Sequence, residues 1–241
     1  MWGVIPAAGK GSRIQPLAFS KELLPVGARE RRPRAVSDYL VERLVIGGAS
    51  KLCFVISPAK SDILEHYGGS AYSKPICYCV QPEPVGLCDA VFRAASVIDP
   101  REPVLVGLPD TIWFPEDALQ RLPGDRLSFL LFPVERPQAF DAVLSDAGGR
   151  VREIEVKQPN PRSNWVWGAF KMPGAIFHSL HELWLRRGDE YIGTLVNAWL
   201  EQGGQAWGIR AGESYLDVGA TDGYFEAVRV LAEKAATGRA L

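Results

Sequence analysis

The chain opens on an apolar run, WGVIPA, that breaks at once into small and charged residues, AGKGSR. The same rhythm recurs down the first half. PRAVSDYLVERLVIGG carries Val36, Leu40, Val41, Leu44 and Val45 on one helical stripe and stops at Gly47-Gly48. KLCFVIS reads as a second strand, KSDILEHY as a short helix and PICYCV as a third strand. GLCDAVFRAASVI then reads as a helix, and EPVLVGLPD as a fourth strand ending at Asp110. Strands that are apolar throughout, alternating with helices, predict a parallel sheet covered on both faces.

The second half has another texture. LSFLLFPV and DAVLSDAGGRVREIEVKQP predict antiparallel strands, the latter folded around DAGG, and WVWGAFKMP a further strand. Helices are predicted over AIFHSLHELWLRR and GTLVNAWLEQGG. AWGIRAGESYLDVG follows, then a last helix from Thr221, its expected N-cap, to about Ala236. The expected fold is α/β: a mostly parallel mixed sheet flanked by helices, with a smaller antiparallel part. Residues 1–241 are read as one domain, 1–125 forming one half and 126–241 the other. Ligands of such sheets bind at the carboxyl ends of the parallel strands. GKGSR after the first strand and Asp110 after the fourth should therefore face one cleft.

Composition narrows the options. The 241 residues are 47% hydrophobic and carry a formal net charge of −1, which favours neither nucleic acid nor an anionic membrane as partner. No apolar run approaches the roughly 20 residues that span a bilayer. The first residues lack a secretory pattern, so a cytoplasmic location is expected. Cys53, Cys77, Cys79 and Cys88 form no C-x-x-C and are read as small buried hydrophobes. Trp165 and Trp167 are read as strand residues of the core, and Arg29-Glu-Arg-Arg32 as a solvated loop.

The glycine-rich opening excludes two familiar motifs. A dinucleotide fingerprint needs a third glycine where Ile14 stands, and in a P-loop the lysine follows the second glycine, whereas Lys10 precedes Gly11. What remains is a loop whose free backbone N–H groups can wrap phosphates. Arg13 can fork onto phosphate oxygens, and Lys21 supplies a compact charge.

The wider string, Gly-x-Gly-Ser-Arg-x-x-Pro-Leu followed by Ser-Lys-Glu-Leu-Leu-Pro-Val, resembles the signature of the sugar-1-phosphate nucleotidyltransferases. Among them it looks closest to the glucose-1-phosphate thymidylyl- and uridylyltransferases. Further segments match in the family's order: QPEPVGLCDAV, VLVGLPD, EVKQP, WGAF and SYLDVGATDGYFEA. The resemblance runs from residue 3 to about 230 and implies a Rossmann-like fold of the nucleotide-diphospho-sugar transferase type, its antiparallel part binding the sugar.

The resemblance also implies roles. Ala7, Ala8, Gly9, Gly11, Ser12, Arg13, Gln81 and Gly86 would bind the nucleotide, with Gln81 and Gly86 at the base. Lys157, Glu155 and Gly168 would hold the sugar phosphate and sugar. Asp110 and Asp217 would share Mg²⁺, and Arg13, Lys21 and Asp110 would be catalytic. The expected substrates are a nucleoside triphosphate, dTTP or UTP with dTTP slightly favoured, and a sugar 1-phosphate, expected to be glucose 1-phosphate. A phosphate monoester's second pKa is about 6, so its oxygen attacks without a histidine base. His66, His178 and His181 lie outside every motif and are read as surface or packing residues.

Some positions depart from the family pattern. Ala8-Gly9 replaces a glycine pair, Pro109 and Thr111 flank the metal aspartate, and Val156 stands where glutamate often touches sugar hydroxyls. Glu155 beside it would point to the other face of a strand. These departures keep two alternatives open: another phosphate acceptor, such as phosphocholine or a polyol phosphate, on the same scaffold, or a non-catalytic nucleotide or sugar-phosphate sensor. The stretch after Asp217 is shorter than in the long thymidylyltransferases, and no hexapeptide repeat is present, so an acetyltransferase fusion is not expected. Oligomeric state is left open.

Overall fold

The computed structural model describes residues 1–29 and 32–236. The chain runs β1 (Trp2–Pro6), β2 (Pro25–Arg29), β3 (Arg32–Ala35), α1 (Val36–Ile46), β4 (Lys51–Ile56), α2 (Ser61–Tyr67), β5 (Ser70–Ala71), β6 (Lys74–Val80) and α3 (Leu87–Phe92). It continues through β7 (Val104–Gly107), β8 (Thr111–Phe114), β9 (Leu127–Pro133), β10 (Ala142–Ser145), β11 (Val151–Glu155) and β12 (Trp165–Met172). Last come α4 (Gly174–Arg187), α5 (Ile192–Glu201), β13 (Ala206–Ile209), β14 (Ser214–Asp217) and α6 (Thr221–Ala236).

The main sheet has the order β11-β10-β12-β7-β1-β4-β6-β5, with β9 pairing β12 and β13. β7, β1, β4 and β6 are parallel, whereas β12 joins β7, β9 and β10 antiparallel. The mixed sheet expected from the apolar alternation is thus present. Along β1 and its neighbours successive side chains go to opposite faces. Val4, Cys53, Val55 and Val106 join the core under α3, α4 and α5, while Ile5, Leu52, Phe54 and Leu105 join the core under α1. Fully burying each of the larger of these contributes about 1.5–3 kcal/mol. That explains why these strands are apolar at every position. A third core, with Leu24, Val26, Tyr39, Ile112, Val218 and Leu231, lies between the β2–β3 hairpin, β8 and α6.

Several boundaries differ from the expected ones. α1 begins at Val36 because Arg32–Ala35 pairs with β2 in a hairpin. The fourth strand ends at Gly107, and Asp110 sits in the turn between β7 and β8. The helix after Gly86 closes at Phe92 and passes into a 3-10 turn, Arg93–Ser96. AWGIRAGESYLD divides into β13 and β14, in different sheets. α6 starts at Thr221, but the carbonyl of Ala220 accepts its first N–H, from Tyr224 at 2.9 Å, so the cap position falls on Ala220. The DAGG turn forms: Asp146 Oδ1 accepts the N–H groups of Gly148 and Arg150.

Cys53 and Cys88 are buried, but Cys77 and Cys79 are only half-buried, because β5 covers little of the outer edge of β6. Trp167 is buried and Trp165 half-buried. Arg29 pairs with Glu42, whereas Glu30 and Arg31 lie outside the described residues. His66 pairs with Asp38, His178 Nε2 meets the carbonyl of Ile98, and His181 stacks on Phe92. Among the described residues no helix is long and apolar enough to cross a membrane.

Candidate active site

Four charged side chains meet at the carboxyl end of the parallel strands. Ala7 and Ala8 are buried at the end of β1, and the loop Gly9–Arg13 emerges from them into solvent. Gly11 turns at φ +66, and an added Cβ there would stand 2.9 Å from Lys21 Cδ. The loop therefore lies directly on the lysine. Lys21 opens a short 3-10 turn, Lys21–Leu23, and its Nζ is 2.5 Å from Asp110 Oδ2. Arg13 Nη1 is 2.8 Å from Asp217 Oδ2. β14 pairs with β8 so that Asp217 stands opposite Thr111, beside Asp110, and the N–H of Val218 bonds the carbonyl of Asp110 at 2.8 Å.

Gly219 measures how closely these groups converge. A methyl group on it would lie 2.6 Å from Asp110 Oδ2, 2.9 Å from Asp217 Oδ1 and 3.0 Å from Arg13 Nη2. Burial opposes the charge on Asp110, but Lys21 outweighs it and holds the carboxyl below the usual range. Burial likewise opposes the charge on Lys21, and Asp110 and Glu22 outweigh it. Carboxylate oxygens such as those of Asp110 and Asp217 are hard donors of the kind Mg²⁺ takes. Among the described residues no third His, Cys, Asp or Glu completes a metal cluster, so the remaining ligands would come from phosphate and water.

A cavity of about 420 Å³ is lined by Gly9, Arg13, Lys21, Gln81, Gly86, Asp110 and Glu190, among others. Gln81 is 1% exposed, and its amide Nε2 donates both to Asp89 Oδ2 at 2.8 Å and to the carbonyl of Gly86 at 3.1 Å. Both amide protons are used, which leaves Oε1 as the free acceptor. Asp89 is itself held by Arg93. Gly86 sits at φ +126, a conformation that L side chains rarely adopt, and an added Cβ would meet Glu190 Cγ at 2.5 Å.

The sugar-side candidates are more scattered and do not line this cavity. Lys157 follows β11 at φ +50; its ammonium is mostly exposed and lies 3.8 Å from Asp141. Glu155 is committed elsewhere: its carboxylate accepts the Nε–H and backbone N–H of Arg162. Gly168, at the bulge in β12, is pressed against the Tyr215 ring, where an added Cβ would come within 2.4 Å of Cε2. Ser12 is exposed on the loop, without a side-chain hydrogen bond.

Other structural contributors carried no local sequence signal. Lys60 Nζ donates to the carbonyl of Ala7 and to both oxygens of Glu22, anchoring the glycine-rich loop from below. Asp62 holds the backbone N–H and the hydroxyl of Ser20, each at 2.6 Å. Glu190 also lines the cavity, Asp89 holds the Gln81 amide, and the Tyr215 ring lies against Gly168. The order S-K-E plus a buried cation partner is a pattern that could have flagged Glu22, but nothing local pairs Glu22 with Lys60.

Residues 2–234 match the model of the nucleotidyl transferase family. The UTP–glucose-1-phosphate uridylyltransferase AglF of Haloferax volcanii is 30% identical over 242 residues, covering 97% of this chain and 98% of that protein. A glucose-1-phosphate thymidylyltransferase of Mycolicibacterium smegmatis is 27% identical over 240 residues, covering 94% and 81%. Among solved structures, a UTP-bound UGPase from Acinetobacter baumannii superposes with a TM-score of 0.78 at 21% identity, covering 95% of this chain and 92% of that one. With its glycine-rich loop, paired carboxylates and mixed sheet in one order along the chain, the protein belongs to the nucleotidyl transferase family, among the sugar-1-phosphate nucleotidyltransferases.

Proposed function

We propose that the protein condenses a uracil or thymine nucleoside triphosphate, dTTP or UTP, with glucose 1-phosphate, forming the nucleotide-sugar and pyrophosphate. The reading rests above all on Lys21 and Arg13 each holding one of two converging carboxylates beside the Gln81 cavity. The sugar phosphate oxygen attacks the α-phosphorus; that P–O bond forms as the bond to the β-phosphate oxygen breaks. The nucleophile is ionised already, so the barrier is the gathering of negative charge, and catalysis is positioning and neutralisation.

Arg13 turns from Asp217 to the triphosphate and steadies the leaving pyrophosphate. Lys21 lies between the two substrates' phosphates, and Lys157 takes the sugar phosphate. Ala7, Ala8, Gly9, Gly11 and Ser12 line the triphosphate's path with backbone N–H groups. Asp110 and Asp217 would hold Mg²⁺, which neutralises phosphate charge when bound. Gln81 Oε1 accepts the N3–H of uracil or thymine, whereas cytosine presents an acceptor at N3. Glu155 is left out of this scheme, because Arg162 occupies it.

The test is pyrophosphate release with Mg²⁺ across four nucleoside triphosphates and a set of sugar 1-phosphates, with phosphocholine and a polyol phosphate alongside. Release with dTTP or UTP and glucose 1-phosphate, falling by about 10²–10³-fold in Asp110→Asn, is expected. Release only with phosphocholine or a polyol phosphate overturns the sugar assignment. No release with any pair, but a nucleotide-induced rise in Tm, means a sensor instead.

A further inference from the structure

The sugar side holds one carboxylate whose hydrogen bonds are not filled. Asp141 lies just before β10, with its side chain only 10% exposed. Its contacts are long for a charged group: the Lys157 backbone N–H at 3.4 Å and the Lys157 ammonium at 3.8 Å, both on Oδ1. Charge-assisted N–H···O bonds ordinarily run about 2.7–2.9 Å. Neighbouring acids are satisfied: Glu155 is taken by Arg162 and Asp189 by Arg187. The indole Nε1 of Trp167 is buried without a hydrogen bond of ordinary geometry, and it faces Asp141 at long range, close enough to favour the carboxylate. Burial pushes the Asp141 carboxyl above its usual range, with Lys157 only partly opposing it.

A buried carboxylate whose donors all stand at long range keeps acceptor capacity for a ligand, and such a group calls for an explanation. We propose that Asp141 reads a ring hydroxyl of the sugar 1-phosphate and is the specificity-determining residue of the sugar side. The proposal rests on the reaction proposed above. As Lys157 leans to the phosphate it stays beside Asp141, which accepts from the sugar as well. Trp167 Nε1 can then steady one carboxylate oxygen while the other takes the hydroxyl. A hydroxyl suits this place better than an ammonium group. The Lys157 side chain remains next to it, and a second cation would be repelled.

The experiment compares glucose 1-phosphate with its 2-, 3-, 4- and 6-deoxy analogues and with glucosamine 1-phosphate, on the wild type and on Asp141→Asn. In the wild type one deoxy analogue should show a KM raised at least about tenfold. In Asp141→Asn the KM for glucose 1-phosphate itself should rise about as much, the further loss on removing that hydroxyl should shrink below about threefold, and the KM for the nucleotide should stay within about twofold. Asp141→Ser carries the same comparison if the asparagine variant does not fold. If every analogue loses as much in the variant as in the wild type, or if the nucleotide KM moves with the sugar KM, the assignment of Asp141 is overturned while the reaction stands. If the wild type uses no sugar 1-phosphate but does use another phosphate acceptor, both readings fall.

Discussion

Gly219 is packed against Asp110 so closely that a methyl group on it would stand 2.6 Å from Oδ2, inside the contact distance of any real side chain. The same point is 2.9 Å from Asp217 Oδ1. The two carboxylates are therefore brought together only because this position carries no side chain. Gly219→Ala should leave the fold intact, since the crowding falls on side-chain ends. It should lower kcat about 10–100-fold and raise the Mg²⁺ concentration for half-maximal rate. A Mg²⁺ titration of pyrophosphate release checks both. An unchanged titration would mean that the carboxylates do not act together.

Gln81 presents an acceptor because Asp89 and the Gly86 carbonyl take its amide protons. In Asp89→Asn the new amide can donate, so the Gln81 amide is free to turn over and offer its NH₂ group. The preference for UTP or dTTP over CTP, measured as the ratio of kcat/KM values, should fall about tenfold or more. The KM for the sugar phosphate should not follow.

Glu22 and Lys60 form a buried ion pair beneath the glycine-rich loop, with side-chain exposures of 1% and 10%. Burial pushes the Glu22 carboxyl up and the Lys60 ammonium down from their ordinary values. Lys60→Met strands a buried carboxylate and should cost about 3–5 kcal/mol in denaturant unfolding. Adding Glu22→Gln should recover most of that. The carbonyl of Ala7 stays without its Lys60 donor in both variants. The KM for the nucleotide should therefore remain raised in the double variant even as stability returns.

His66 sits 3.6 Å from Asp38, whose Oδ1 also accepts the Tyr67 hydroxyl at 2.8 Å. The bond to Asp38 raises the His66 pKa above 6.5. Burial opposes the charge on Asp38, but His66 and Tyr67 outweigh it and hold the carboxyl below 3.8. The histidine's contribution is full below its unfolded value and is lost as pH rises through the raised folded one. The aspartate's is present above its unfolded value and is lost as pH falls through the lowered one. The pair thus stabilises between about pH 4 and 6.5. His66 is partly exposed, so the effect is below about 1 kcal/mol. His66→Gln should lower Tm by about 1–3 °C near pH 5.5 and by nothing measurable at pH 9.

Periodicity alone carried the layered α/β arrangement. A strand such as β4 is apolar at every position because the sheet buries both its faces, and α1 shows one stripe because it buries one; both facts are local and are written in consecutive residues. The glycine-rich loop, Lys21, Asp110 and Gln81 were legible because the segments that carry them resemble, in order, those of the sugar-1-phosphate nucleotidyltransferases. The tertiary structure alone decided what these groups touch. Arg13 meets Asp217 across 204 residues, Lys60 reaches back to Ala7, and Asp110 drops from the end of a strand into a turn. Glu155 is bound by Arg162, and Asp141, unmarked by any motif, lies beside Lys157. Such pairings depend on strand register and on distances between elements far apart in the chain. No run of neighbouring residues encodes them; they arise when the sheet closes and each buried charge must find a partner.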